Sequence, residues 1–228
     1  MGNVGEEWAW AVVAVDRLGS SLDRLARFLP KRRRRRLAEG VFLDVVQAIR
    51  ESRLLAEIVL ATRDPTAASL GQREGISCPK GEGASALPIR QAVEASLQEG
   101  AEAMALLWGD LPLLEAQDLA FLMGRLAQGP RMVLVPTLGS PGVSIVMARP
   151  ASVLPPGDFE TGDASSWQQE ARRHGLATEV YGLPAGMRPR APRDLLQVYK
   201  APRPSRAKAL LKEWRMGPRL RESKGEES

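Results

Sequence analysis

The 228 residues suffice for one medium-sized domain with an attached tail, and the 44% hydrophobic content is enough for a substantial core. The single cysteine and single histidine exclude an intrachain disulfide, a cysteine-based zinc site and a histidine cluster. Aromatic residues form only 5% of the chain, which makes a base-stacking nucleic-acid surface unlikely. No apolar run approaches the roughly 20 residues of a membrane span, and the N-terminus does not resemble a signal peptide, so a cytoplasmic protein is expected.

The formal net charge of +5 is concentrated at the C-terminal end of the chain. Residues 200–228 contain nine Lys/Arg and four Glu, whereas residues 1–199 contain 23 basic and 23 acidic side chains. We therefore divide the chain into an α/β domain over residues 1–199 and a basic, partly helical tail over residues 200–228. The polar composition of the tail predicts that the body folds without it.

Apolar residues at helical spacing predict one amphipathic helix within the tail: Ala207, Leu210, Leu211 and Trp214. We favour docking of this helix over RNA binding. It would dock on the body, on a second copy of the chain in a homo-oligomer, or on another protein. A second basic stretch, residues 31–36, begins the first predicted helix. Its expected role is a solvated arginine face, with contact to a polyanion or a partner as the alternative.

Short apolar segments alternate with helical patterns along the chain. Strands are predicted at residues 8–15, 56–62, 76–79, 105–108, 132–135, 143–147 and 177–181. This alternation is typical of an α/β three-layer sandwich with a mainly parallel sheet.

Asp110 follows one of these strands directly and precedes a predicted helix. Ligands of open α/β sheets bind at the carboxyl ends of the strands, so we expect a nucleotide site near the ends of the strands that finish at Val15, Thr62 and Trp108. A carboxylate in that place can hold Mg²⁺ against phosphates. The alternative is that Asp110 only closes the turn by accepting backbone hydrogen bonds.

Several motifs in a fixed order resemble one family, the 2-phospho-L-lactate guanylyltransferases of deazaflavin coenzyme F-420 biosynthesis. The resemblance runs from about Trp10 to Val198. Its motifs are Leu29-Pro30 before an arginine-rich helix, Leu43-Asp44-Val45-Val46, Thr62-Arg63-Asp64-Pro65, Gly83-Ala84-Ser85-Ala86, Gly109-Asp110-Leu111-Pro112 and Ala191-Pro192-Arg193-Asp194-Leu195. The family has a glycosyltransferase-A-like nucleotidyltransferase fold.

The resemblance implies transfer of GMP from GTP to a small phosphorylated acid: 2-phospho-L-lactate, phosphoenolpyruvate or a phosphoglycerate. It implies Mg²⁺ at Asp110 and phosphate binding by Arg24, which are the two predicted catalytic residues. The predicted nucleotide-binding residues are Asp16, Thr62, Asp64, Gly83, Ser85, Arg188 and Arg190.

Charges at three positions, in two segments, are reversed relative to that family. Asp16 stands where the family has a lysine, and Arg188 and Arg190 stand where it has two aspartates. Arginines cannot be metal ligands but can clamp phosphates with two hydrogen bonds each. We expect Asp16 to pair with Arg188 or Arg190 and Mg²⁺–GTP to bind weakly. A catalytically degenerate relative that acts as a binding or assembly partner remains one alternative, and another nucleotidyl- or glycosyltransferase of the same fold class remains a second.

Overall fold

A six-stranded mixed sheet lies at the centre of the part of the chain that the computed structural model describes, residues 9–18, 22–79, 88–154, 159 and 161–222. The strands are β1 (Ala9–Val15), β2 (Ile58–Thr62), β3 (Ala103–Trp108), β4 (Arg131–Pro136), β5 (Val143–Arg149) and β6 (Ala177–Val180). The helices are α1 (Lys31–Ser52), α2 (Pro65–Arg73), α3 (Ile89–Gln98), α4 (Ala116–Leu126), α5 (Ala164–Arg173), α6 (Pro192–Lys200), α7 (Arg206–Glu213) and α8 (Gly217–Glu222). No helix in these ranges has both the length and the apolar character needed to cross a bilayer.

The strand order is β2-β1-β3-β5-β4-β6, and only β5 runs against its neighbours. The six residues between β4 and β5 are too few for the crossover that parallel strands need, so this connection forms a hairpin. The remaining pairs are parallel, which confirms the predicted α/β class with a mainly parallel sheet.

Strands β1 and β3 are apolar throughout because helices cover both faces of the sheet. All six residues of β3 are buried, and in β1 only Trp10 is partly exposed. From β1 the chain passes through α1 to β2 on one side, and then through α3 to β3 on the other. Right-handed crossovers in these opposite directions place α1 and α3 on opposite faces of the sheet.

The predicted strand at residues 76–79 is wrong. Ser77 makes one isolated bridge to Val59, in which the Ser77 carbonyl accepts from the Leu60 N–H at 2.8 Å. Pro79 has no N–H with which to continue a ladder, so the segment remains an irregular edge.

The tail is docked on the body through α1. Asp44 of α1 accepts hydrogen bonds from the N–H groups of Arg206 and Ala207, both at 2.9 Å, and so caps the start of α7. Four apolar side chains of the tail are fully buried in the core: Ala207, Leu211, Met216 and Leu220. These side chains complete the core despite the polar composition of the segment, so we expect the body to depend on the tail, contrary to the prediction from composition.

The basic residues at the start of α1 are used in packing. Arg33 and Arg36 lie over the Trp214 ring, 5.4 and 5.8 Å from its centroid, and Arg36 also pairs with Glu213 at 3.2 Å. Arg34 is buried and donates to the Leu29 carbonyl at 2.8 Å. The expected solvated face is therefore in part a contact with the tail.

Glu179 of β6 joins three elements at the edge of the sheet. It accepts hydrogen bonds from Arg125 of α4 at 2.7 and 3.0 Å and from Arg131 of β4 at 2.5 Å, and the Tyr181 hydroxyl also donates to it. The hydrogen bonds from Arg125 and Tyr181 lower the pKa of Glu179 to about 2. A carboxyl group whose pKa is lowered on folding stabilises the fold above its unfolded pKa of about 4.3, and this contribution is lost as the pH falls toward 2.

We expect Glu179→Gln to lower the melting temperature at pH 7 and to have progressively less effect as the pH is reduced from 5 to 2. Glu99→Gln, at the exposed end of α3, is the matched control and should have little effect at any pH. Thermal melts across this pH range measure both. If Glu179→Gln lowers the melting temperature as much at pH 2 as at pH 7, the ionised Glu179 carboxylate is not what stabilises the fold.

Candidate functional site

A cleft opens at the carboxyl ends of β1 and β3. The chain leaves β1 for β2 on one side and returns to β3 on the other, which is the switch point where α/β sheets bind ligands. The cleft has a volume of about 220 Å³. Its lining residues are Ala14, Val15, Asp16, Leu18, Ala38, Trp108, Gly109, Asp110 and Arg188. Of the four residues expected to border one cleft, Asp16 and Asp110 line it, Arg24 is not among its lining residues, and Ser85 lies outside the described residues.

Asp110 is bound by Arg188 through two parallel hydrogen bonds. Arg188 Nε lies 2.7 Å from Asp110 Oδ1, and Arg188 Nη2 lies 2.9 Å from Oδ2. The two side chains are only 14% and 22% exposed, so water screens the pair weakly. Neither the spacing of 78 residues nor any local pattern indicates this pairing.

The Trp108 ring packs against the guanidinium of the Asp110–Arg188 pair. The guanidinium carbon of Arg188 lies 4.1 Å from the centroid of the Trp108 ring, which is a cation–π contact. The Trp108 Nε1–H donates to the Val143 carbonyl at 3.1 Å, and Phe159 stacks on the ring at 5.0 Å. Trp108 was not among the predicted site residues, although its place directly before Gly109-Asp110 at a strand end was a usable signal.

The segment that carries Arg188 is fixed to the sheet by buried hydroxyls. Ser144 of β5 donates to the Gly186 carbonyl at 2.8 Å, and its hydroxyl also lies 3.0 Å from that of Thr137. Gly186 packs so tightly that a Cβ there would overlap the Pro136 carbonyl oxygen. Arg188 is thus held in place by the backbone and not only by its own contacts.

We expect Gly186→Ala to destabilise the protein by about 1–3 kcal/mol, because the backbone oxygen of Pro136 cannot move aside cheaply. Gly182→Ala, in the same connection, has nothing within 4 Å of the added Cβ and should change stability by less than about 0.5 kcal/mol. Urea unfolding of both variants tests this pair. Equal effects would mean that the close approach at Gly186 is not a constraint.

Two further arginines flank the Asp110–Arg188 pair. Arg190 donates to the Ser140 hydroxyl and is partly buried, and Arg24 lies on the exposed 3₁₀ turn Asp23–Leu25. Burial, followed by the nearby Arg24 and Arg188 cations, lowers the pKa of Arg190. Positive charges that repel each other in a cleft produce a potential that attracts anions.

The turn that carries Arg24 is held by the buried Arg34. Arg34 reaches from α1 to Asp23, the neighbour of Arg24, with Nη2 2.9 Å from the carboxylate. Ser140 was not a predicted site residue, although its place in a loop of Gly, Ser and Pro after a strand was a usable signal.

Asp16 does not pair with the late arginines. Its carboxylate lies 3.8 Å from Arg63, whereas the carboxylate bound to Arg188 is Asp110. The predicted pairing of Asp16 with Arg188 or Arg190 is therefore wrong. Asp16 stays on the rim, where its side chain is 57% exposed, because Arg63 follows the adjacent strand β2 and is the nearer cation.

Thr62 and Asp64 support the loop after β1. Asp64 accepts hydrogen bonds from Thr66 N–H at 2.7 Å and Ala67 N–H at 3.3 Å, which caps α2, and from Leu18 N–H at 2.8 Å. The buried Thr62 hydroxyl accepts from the Asp64 N–H at 3.0 Å. These groups therefore fix the shape of the cleft wall. Gly83 and Ser85, predicted for the guanine pocket, lie outside the described residues.

The side chains around Asp110 do not fit the Mg²⁺ ion that the resemblance implies. The described residues contain no group of three or more His, Cys, Asp or Glu placed to hold a metal. Both Asp110 oxygens already accept from Arg188, and Asp16 is paired with Arg63. A cation approaching Asp110 would also be repelled by Arg24 and Arg190.

The fold belongs to the nucleotidyltransferase class. A structure from Desulfovibrio desulfuricans G20, described as a nucleotide-diphospho-sugar transferase, matches with a TM-score of 0.76 over 96% of this chain and 99% of its own, at 17% identity. A cytidylyltransferase from Leptospira borgpetersenii matches with a TM-score of 0.57 over 94% of this chain and 97% of its own, at 13% identity. At these identities the likeness establishes the fold alone.

Sequence relatives define the family more closely. A phosphoenolpyruvate guanylyltransferase from Chloroflexus aggregans is 32% identical over 186 residues, which cover 76% of this chain and 84% of the relative. One from Conexibacter woesei is 27% identical over 189 residues, covering 77% and 80%. No family profile matches the sequence. The chain belongs to the guanylyltransferase family that includes these enzymes, so the resemblance seen in its motifs is confirmed.

Proposed function

We propose that this protein is a guanylyltransferase that transfers GMP from GTP to a small phosphorylated acid. Phosphoenolpyruvate is the first candidate acceptor because the relatives carry that name, and 2-phospho-L-lactate and phosphoglycerate are the alternatives. The observation that supports the proposal is the cleft lined by Asp110 and Arg188 in a chain of this family, with the Arg190 cation close enough to Arg188 and Arg24 for their charges to interact. The reaction would be a step in coenzyme F-420 biosynthesis.

The chemistry requires positioning and charge neutralisation. A phosphate oxygen of the acid attacks the α-phosphorus of GTP, the bond from that phosphorus to the bridging oxygen breaks, and pyrophosphate leaves with the electron pair. Negative charge accumulates on the leaving group and on the equatorial oxygens. In this proposal Arg24 and Arg190 neutralise this charge, and Arg188 donates to a phosphate the N–H groups that it does not use on Asp110.

The other predicted residues receive supporting roles in this proposal. Thr62 and Asp64 hold the β1 loop that faces the phosphates, and Asp16 lies with Arg63 at the rim. Gly83 and Ser85 are proposed to contact guanine. No step is assigned to Mg²⁺, because the groups around Asp110 do not form a metal site.

The test is an assay with GTP and each of the three acids, read out as pyrophosphate release and as the mass of the guanylylated acid. We expect one acid to give both products, and GTP to be preferred over ATP and CTP. No product from any acid, with GTP still bound, would instead support the second candidate function.

That second candidate is a non-catalytic relative that binds nucleotide or assembles with another protein. The bidentate bond between Asp110 and Arg188 favours it, because it occupies the carboxylate that the resemblance makes catalytic. In that case the exposed surface of the tail is the proposed contact for a partner or for a second copy. Light scattering of the purified protein measures self-association directly.

A further inference from the structure

We infer that the cleft is a metal-independent polyphosphate site, in which Arg188 takes the place of a divalent cation beside Asp110. This inference rests on the nucleotide binding that the proposed function requires. It assigns the ligand as the free polyphosphate anion of a nucleoside triphosphate, and it assigns Asp110 as the resting partner of Arg188.

The first support is the geometry of the pair. A cation that bridges a protein carboxylate and substrate phosphates must lie against the carboxylate oxygens, and Arg188 occupies both of them at 2.7 and 2.9 Å. A guanidinium has five N–H donors and uses two on Asp110, so others remain for a phosphate on the open side. Arg188 is therefore able to bridge carboxylate and phosphate, as a bound metal would.

The second support is the rigidity of this arrangement. Trp108 holds the guanidinium from one side at 4.1 Å, and the Gly186 contact with Ser144 fixes the backbone two residues earlier. An arginine that only neutralised a surface carboxylate would not need the Trp108 contact and the fixed backbone. A preorganised donor loses less entropy when it binds an anion.

The third support is the excess of positive charge. Arg190 lies close to the Arg24 and Arg188 cations and to the Asp110 and Asp194 carboxylates, of which Asp194 accepts from the Arg190 backbone N–H at 2.8 Å and Asp110 pairs with Arg188. Two carboxylates do not neutralise these three arginines. Their mutual repulsion is relieved by a polyanion and not by a metal ion. The charge balance of the cleft thus suits a metal-free triphosphate.

Asp110→Asn distinguishes a metal ligand at Asp110 from a metal-independent phosphate site, because the change preserves the shape of the side chain and removes one charge. If Asp110 were a metal ligand, its loss would weaken nucleotide binding. In a metal-independent site its loss releases Arg188 for the phosphates. Titration calorimetry with GTP and with inorganic tripolyphosphate, in EDTA and in excess Mg²⁺, measures the difference.

For the unaltered protein we expect both anions to bind in EDTA at least as tightly as in Mg²⁺. Asp110→Asn should tighten binding in EDTA by about threefold or more, and Arg188→Gln should weaken it by about tenfold or more. Arg172→Gln, an exposed arginine of α5, is the control and should not differ from the unaltered protein.

A second measurement uses Mn²⁺ alone, followed by electron paramagnetic resonance. The unaltered protein should leave Mn²⁺ free, and an Asp110-dependent Mn²⁺ site in it would overturn the inference. So would a loss of GTP affinity of about tenfold or more on adding EDTA, or the absence of binding by both anions. Anion binding in EDTA without guanylyl transfer would overturn the proposed function only, whereas transfer with strictly Mg²⁺-dependent binding would overturn the inference only.

Discussion

Removing residues 205–228 is expected to lower the melting temperature by about 10 °C or more, since the loss of several buried side chains costs upwards of about 5 kcal/mol in a chain of this length. The segment contributes Ala207, Leu211, Met216 and Leu220 to the core, all fully buried. Its removal also leaves Asp44 without the two N–H groups that it caps. Stability of natural domains is typically about 5–15 kcal/mol, so the truncated protein is close to unfolding.

A point substitution tests the same contact when the truncated chain is insoluble. Leu211→Ala is expected to cost about 2–5 kcal/mol, because it leaves a cavity between α7 and α1. Lys212→Ala, at the next and exposed position, is the control and should cost less than about 0.5 kcal/mol. Circular dichroism melts compare the three proteins. An unchanged melting temperature in both the truncated and the Leu211→Ala protein would mean that the tail is not docked in solution.

Replacing Arg190 or Arg24 is expected to reduce GTP affinity by about tenfold or more each, since a hydrogen bond to a charged group is worth about 1.5–3 kcal/mol. Both side chains lie close enough for their charges to interact, so the proposed triphosphate beside Asp110 is expected to be attracted by both. Arg190→Gln and Arg24→Gln keep polar side chains and remove the charge.

The salt dependence of GTP binding distinguishes a direct contact from a structural effect. Each charge removed should make binding less sensitive to added salt, because fewer ionic contacts are screened. Arg172→Gln again serves as the control. Unchanged affinity and salt dependence in both variants would remove Arg24 and Arg190 from the phosphate site.

Much of the fold was predictable because its signals are local. The apolar runs that become β1 and β3 are continuous, which is typical of strands buried on both faces, and the turn after Trp108 contains a carboxylate at the expected edge. The prediction failed at residues 76–79, where an apolar residue and a proline gave only one bridge. The reversed direction of β5 follows from the short loop before it, which the sequence also displays.

Some residues of the cleft were predictable from the sequence, but their contacts were not. Asp110, Arg188 and Arg190 were identified from motifs, yet the choice of Asp110 over Asp16 as the partner of Arg188 depends on packing between segments 78 residues apart. The tail contact has the same origin, because the arginines of α1 find Trp214 only when the chain is folded. Such long-range pairings leave no periodic signal in the sequence.

The contact between α1 and α7 also affects how the chain folds while it is synthesised on the ribosome. The face of α1 is complete at Ser52, but the helix that covers it begins only at Arg206. At about 5–20 residues per second, synthesis of the intervening 153 residues takes roughly 8–30 s. During that time an apolar helix face and a row of arginines are presented together to the ribosome surface and to chaperones. The native fold is therefore reached late in synthesis, and nascent chains stalled before α7 should be protease-sensitive.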